Sequence, residues 1–240
     1  MNIIQHPAST RGGADHGWLK ARHSFSFGGW HDPSRIHFGM LRVLNDDLVA
    51  PGAGFGKHPH DNMEIITIPL TGALKHQDST GGQGVIKPGE VQVMSAGTGV
   101  FHSEMNASSS DPVTLFQIWI MPNQKNVEPR YDQRAFSEED RVGKWQALIS
   151  PMDSDDEGIK IHQDAWISRA TITDGGTLEY ALHRQGNGVY LMLVEGAVTI
   201  ADKTMWRRDA LGITDTDRIE IKATDPSDVL VIEVPMQPRP

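Results

Sequence analysis

The sequence predicts an all-β fold of two tandem barrels, on three observations. Short runs rich in β-branched and apolar residues read as strands: Met40 to Val43, Glu64 to Pro69, Val91 to Met94, Thr114 to Met121, Val189 to Val194 and Val229 to Val234. Glycine (24) and proline (14) punctuate the chain throughout, as turns between short strands require. No long amphipathic helical pattern competes, and only Ser137-Glu138-Glu139-Asp140 has the cap and acidic first turn of a short helix start. Strands of this length and spacing argue a sandwich or barrel of the jelly-roll kind, its interior filled with side chains.

The tandem arrangement comes from an internal repeat. Glu64 to His76 (EIITIPLTGALKH) and Tyr190 to Ile200 (YLMLVEGAVTI) share a strand, a glycine turn and a second strand, which aligns Gly72 with Gly196. That alignment sets Leu182 and Arg184 opposite His58 and His60, and no histidine follows His183. The second barrel is therefore expected to be without metal ligands. The expected division is a metal-binding N-terminal domain over 1–135, a connecting segment over 136–160 and a degenerate C-terminal domain over 161–240, the acidic stretch Pro151 to Gly158 reading as connection.

Composition excludes several chemistries. With 240 residues, the chain buries roughly 70% of the surface it exposes when unfolded, so no staple is needed. There is no cysteine, which removes disulfides, thiolate metal sites and cysteine nucleophiles. A formal net charge of -9, with acids gathered at Asp153, Asp155, Asp156 and Glu157, repels a phosphate backbone, so no direct nucleic-acid partner is expected. Met1 to Gly13 lacks the apolar core of a signal peptide and no run is long enough to span a membrane, so a soluble, cytoplasmic protein is expected. No Gly-x-Ser-x-Gly elbow occurs.

The chemistry sits in two pairs within glycine-rich runs: His58-Pro59-His60 and His102-Ser103-Glu104. Side chains of an extended segment alternate between faces, so both members of each pair project the same way. Imidazole with carboxylate suits iron, nickel, copper, manganese or zinc, and four such donors on an octahedral ion leave two positions open. A closed structural zinc site is the main competing reading, weakened by the lack of cysteine. Glu64, four residues after His60, is a second candidate carboxylate, and spacing alone leaves Glu64 and Glu104 both open. His16, His23, His31, His37 and His76 read first as surface or core histidines, with rimming the pocket or holding the ligands by hydrogen bonds as the alternative, and His162 and His183 receive no role. Phe25, Phe27, Trp30, Phe38 and Phe55 read as core, some of them placed to wall a pocket against an aromatic ligand.

Gly52 to Glu64 carries the glycine, five residues, His-x-His, three residues, glutamate of the first cupin signature. The second is stretched, with Ser95 in place of a proline, then Gly97, His102 and Asn106. With Glu104, these departures are what the pirin branch of the cupins looks like. The chain also resembles pirins in His16-Gly17-Trp18-Leu19, His23-Ser24-Phe25-Ser26-Phe27, Asn45-Asp46-Asp47, His58 to Glu64, Ser95 to Gly99 and Pro129-Arg130-Tyr131, through about Phe136. It is most similar to bacterial pirin-like quercetin 2,3-dioxygenases.

The resemblance implies two cupin barrels and one divalent metal ion held by His58, His60, His102 and Glu104. Iron is the foremost candidate, with nickel, copper, manganese, cobalt or zinc as alternatives. It further implies a dioxygenase that cleaves a flavonol such as quercetin with O2 and releases carbon monoxide, Glu104 or Glu64 taking the substrate's proton. It also implies a second reading, a non-enzymatic metal- or redox-sensing protein that binds a regulatory protein partner. No basic patch or interaction tail in the sequence supports that one.

Overall fold

The computed structural model describes residues 1–238, whose regular structure is strand apart from two short helical turns. Two seven-stranded and two four-stranded sheets form two barrels, each pairing one large sheet with one small. These are the two tandem jelly-roll barrels of the expectation. The first barrel's large sheet runs, by strand, Arg130–Ala135, Glu90–Ser95, Glu64–Thr71, Val113–Ile120, Leu41–Val49, Leu19–His23 and Gly12–Asp15. Its small sheet runs Gly54–His60, Val100–Asn106, Leu74–Asp78 and Gln83–Ile86. No helix among the described residues is long and apolar enough to cross a membrane.

Strand alternation assigns each side chain of the large sheets to one of two cores. On Glu64–Thr71, Ile66 and Ile68 join Phe116, Ile118, Tyr190, Met192, Leu230 and Ile232 in a cluster that packs the two large sheets face to face. Ile65 and Thr67 on the same strand turn into the first barrel. The second barrel is filled by Val189, Leu191, Leu193, Leu211, Ile213, Val229 and Val231.

The aligned glycines are structural equivalents. Gly72 and Gly196 both take positive φ, 71° and 93°, in the left-handed region where a side chain is strained. A Cβ on Gly72 would meet the Pro112 carbonyl and one on Gly196 the Pro226 carbonyl, so both turns pack on the backbone at a strand start.

Two segments depart from the expected division. Asn2–His6, expected with the N-terminal domain, pairs antiparallel with Ala210–Thr214 and forms the edge of the second barrel's large sheet. Burial of its last residue explains the placement: His6 Nδ1 lies 2.9 Å from the Tyr190 hydroxyl, and Phe25 packs edge-on against the imidazole. The expected connecting segment supplies Gln146–Pro151 and Ile159–Ile161 to the same sheet, because Leu148, Ile149, Ile159 and Ile161 fill the space between barrels. Ser137 does cap a short helical turn, Glu138–Arg141, by accepting from the Glu139 amide.

Burial lowers the His6 pKa from 6.5 to about 4, so the unfolded chain binds this proton at a higher pH than the folded one. Stability from this group is complete above pH 6.5 and declines as pH falls towards 4. In melts of metal-free protein over that window, His6→Leu is expected to flatten the loss of Tm relative to the parent chain. An unchanged slope would contradict the assignment.

Candidate metal centre

The strands Gly54–His60 and Val100–Asn106 pair antiparallel with His102 opposite His58. A register shift between His102 and Glu104 marks a bulge, which locally twists the strand. On Val100–Asn106, burial alternates: Val100, His102, Glu104 and Asn106 face inward, while Phe101 faces out. The outcome is three imidazoles with centroids 4.3 Å apart for His58 and His102, and 4.9 Å for His60 with each of the other two. Their ligand nitrogens all lie within 4.8 Å of one another. Two ligands about 2.1 Å from one ion on opposite sides would stand about 4.2 Å apart, so small rotations close the set.

Protonation and hydrogen bonding suit a cation. The His58 Nδ1 donates to the Gly56 carbonyl at 2.8 Å, which leaves Nε2 with its lone pair exposed. His102 is 2% exposed, and neither ring nitrogen has a hydrogen-bond partner. An orphaned buried imidazole is destabilising unless something else fills its lone pair. Burial, reinforced by His58, His60 and His76, pushes His102 down to about 3, and burial with His58 pushes His60 down to about 4. Both rings are thus neutral ligands at physiological pH. The donor set fits a divalent transition metal.

Glu104 lies deeper than the His58 and His60 rings. It shares a second donor group with His76 and His102, again within 4.8 Å. Gln117 Nε2 donates to Glu104 Oε2 at 2.9 Å, and the Thr67 hydroxyl reaches Oε1 at 3.3 Å. Burial raises its pKa, opposed by His76 and these donors. His76, fully buried, is fixed by Asp78 at 3.0 Å and stacked on Tyr131, with centroids 4.8 Å apart.

Glu64 is not part of this group. Even-numbered residues of its strand face the inter-barrel side, and its Oε2 accepts from Ser95 at 2.7 Å. It lines no part of the cavity described below. Strand parity therefore places Glu64, expected from sequence as a catalytic carboxylate, away from the imidazoles and their cavity. Ser95, which stands where the cupin signature has proline, supplies that carboxyl's partner.

The imidazoles open on a cavity of about 520 Å³. Phe27, Trp30, Phe55, Ile65 and Trp119 wall it, with His60 edge-on to Trp119 at 4.9 Å. Of the five aromatics singled out in the sequence, Phe25 and Phe38 belong to the inter-barrel core and the other three line the cavity. His16 and His23 also line it, and His23 Nδ1 lies 2.9 Å from Asn45 Oδ1.

Sequence reasoning missed a polar row that crosses six strands beneath the site. Direct cross-strand pairing sets His23 beside Asn45, then Gln117, Thr67, Gln92 and Gln133. In the second barrel the corresponding paired positions Leu211, Leu191 and Val231 are apolar. The signal was one polar residue at an inward position in each apolar strand, as in Ile66-Thr67-Ile68 and Val91-Gln92-Val93. His183, given no role from sequence, holds Glu233 at 2.9 Å and stacks on Trp166 at 4.7 Å. Burial pushes Glu233 up, but donors from His183 and Asn187 outweigh it and the carboxyl stays below its usual range.

Comparison with known proteins agrees with this architecture. The pirin pattern matches residues 5–120, and that of the quercetinase C-terminal cupin domain matches 147–234. The chain is 44% identical over 235 residues to the quercetin 2,3-dioxygenase of Escherichia coli K12, covering 97% of this chain and 99% of that one. The chain belongs to the pirin family. It is also 41% identical to a pirin-like protein of Caulobacter vibrioides, over 96% of this chain and 99% of that one. Among solved structures, the bacterial pirin YhhW of Escherichia coli in complex with nickel(II) superimposes with a TM-score of 0.91 at 40% identity, over 98% of this chain and 99% of that one.

Burial raises the Glu64 pKa from 4.5 to about 7, so the folded chain holds a proton that the unfolded chain has lost. This contribution is complete below pH 4.5 and is lost as pH rises through 7. Glu64→Gln is therefore expected to raise Tm more at pH 8 than at pH 5, read by parallel melts, and to leave bound metal unchanged by elemental analysis. A loss of metal would return Glu64 to the site.

Proposed function

We propose that this chain is a metal-dependent dioxygenase that cleaves flavonols such as quercetin, with His58, His60, His102 and Glu104 holding one divalent ion, iron or nickel. The observation that carries the reading is the convergence of three imidazoles, one of them buried without a partner, at the wall of an aromatic cavity. The kinship with the Escherichia coli quercetin 2,3-dioxygenase supports the substrate class. When bound, the metal lowers the cost of ionising the flavonol 3-hydroxyl and brings substrate and O2 together.

The remaining steps fall to the chain's own residues. Phe27, Trp30, Phe55 and Trp119 take a flat aromatic system between them and displace water. Glu104 accepts the 3-hydroxyl proton, Gln117 and Thr67 holding its carboxyl in place. In the overall reaction the heterocycle takes up both atoms of O2, opens to a phenolic ester and loses one carbon as carbon monoxide.

Aerobic incubation of metal-loaded protein with quercetin is expected to release carbon monoxide in step with substrate loss. His102→Ala is expected to lower both bound metal and turnover by at least about a hundredfold, since it removes the buried ligand. Full metal loading without carbon monoxide would sink the dioxygenase reading and favour a metal-holding protein that acts through a regulatory partner.

A further inference from the structure

Asp47 is a buried carboxyl in the cavity that no step above uses. It sits on Leu41–Val49, two residues from Asn45 on the same inward face, and both line the cavity with the three imidazoles. It is 4% exposed, and its Oδ1 is buried without any hydrogen-bond partner. Its neighbour Asp46 shows what a structural role looks like on this strand. Facing the other way, Asp46 takes Arg11 at 3.2 Å and Arg208 at 3.0 Å. Opposite Asp47 across the sheet lie Ala21 and Leu115, neither of which offers a side-chain donor.

A buried carboxyl without a partner destabilises a fold, and such groups cluster where a ligand supplies the missing partner. The surrounding cavity restricts what that ligand is. Its walls are aromatic and apolar; of its polar side chains, His23 already meets Asn45 and Gln117 meets Glu104, while Asp47 Oδ1 and the Trp119 indole nitrogen are buried without a partner. Of those two, Asp47 is the carboxyl, and the indole belongs to a ring edge-on to His60 at the metal-facing wall. Asp47 stands on the large sheet and the three imidazoles on the small one, so a planar aromatic ligand with one edge at the imidazoles reaches it through a polar substituent on another edge.

We propose that Asp47 is a specificity-determining residue, hydrogen-bonding a ring hydroxyl of the aromatic substrate on an edge other than the metal-facing one. The proposal rests on the flavonol reading above and adds which flavonols are preferred. Burial, with the charges of Asp46 and Glu104, pushes this carboxyl up to about 8, so at neutral pH it is mainly protonated. Protonated it donates to a phenolic oxygen and ionised it accepts from the hydroxyl, so either form recognises the group.

The test compares quercetin, with ring hydroxyls distant from its 3-hydroxyl, with 3-hydroxyflavone, which has only the metal-facing edge. Anaerobic binding is measured on metal-loaded wild type, Asp47→Asn and Asp47→Val. Wild type is expected to prefer quercetin. Asp47→Val should weaken quercetin by about ten- to a hundredfold and leave 3-hydroxyflavone within about twofold, because a site built for a hydroxyl discriminates through its own unpaired group. Asp47→Asn should restore most of the preference, and Tm and bound metal should not fall in either variant.

Equal weakening of both ligands, or of neither, would overturn the assignment and leave the flavonol reading intact. A lower Tm in both variants would make Asp47 a fold-holding residue and likewise overturn it. Wild type that binds neither flavonol would sink the reading and this proposal together.

Discussion

The antiparallel pairing of Gly54–His60 with Val100–Asn106, in the register that sets His102 opposite His58, is the constraint on which the site depends. Alternation along each strand then leaves little freedom. His58 and His60 share a face, His102 and Glu104 share a face, and pairing brings those faces to one wall of the barrel. A one-residue slip would turn His102 and Glu104 outward and bring Phe101 and Ser103 in. The neighbouring strand Leu74–Asp78 pairs with the same strand from its other edge and sets His76 opposite Glu104. The cluster is thus built on rigid paired elements.

The two barrels share a plan and differ in the chemistry of their interiors. Gly72 and Gly196 make the same turn, and both large sheets contribute to one apolar layer between the barrels. Inside, the first barrel carries a row from His23 through Asn45, Gln117, Thr67 and Gln92, whereas the second is packed with Leu191, Leu211 and Val231. Gln92 has no partner for either side-chain polar atom, and neither has the indole nitrogen of Trp119. An apolar core would be more stable than such a row, so the first barrel trades stability for a cavity with directed polar groups. The second barrel supplies the sheet against which the first is packed.

Much of this was legible in the sequence because period-two alternation and glycine turns are local signals. The paired His-x-His and His-x-Glu spacings survive folding as adjacent faces, and the glycine repeat survives as equivalent turns. Glu64 was not legible as an outsider. Its distance from His60 fits a ligand, and only the parity of Glu64–Thr71 against both sheets turns it to Ser95. His76, Asp47 and Gln117 lie on three different strands, and their convergence is a matter of long-range register. The exchange of Asn2–His6 into the second sheet is equally non-local, since a five-residue strand carries no mark of which barrel it will edge.

X-ray absorption at the nickel edge of stoichiometrically loaded protein tests the central arrangement most directly, because it reads the donors around the ion without relying on turnover. Three imidazole nitrogens and at least one carboxylate oxygen at about 2.1 Å are expected, and His102→Ala, which loses the ion, is expected to give no such shell. A first shell of oxygen alone, or imidazole scattering unchanged in that variant, would contradict the account.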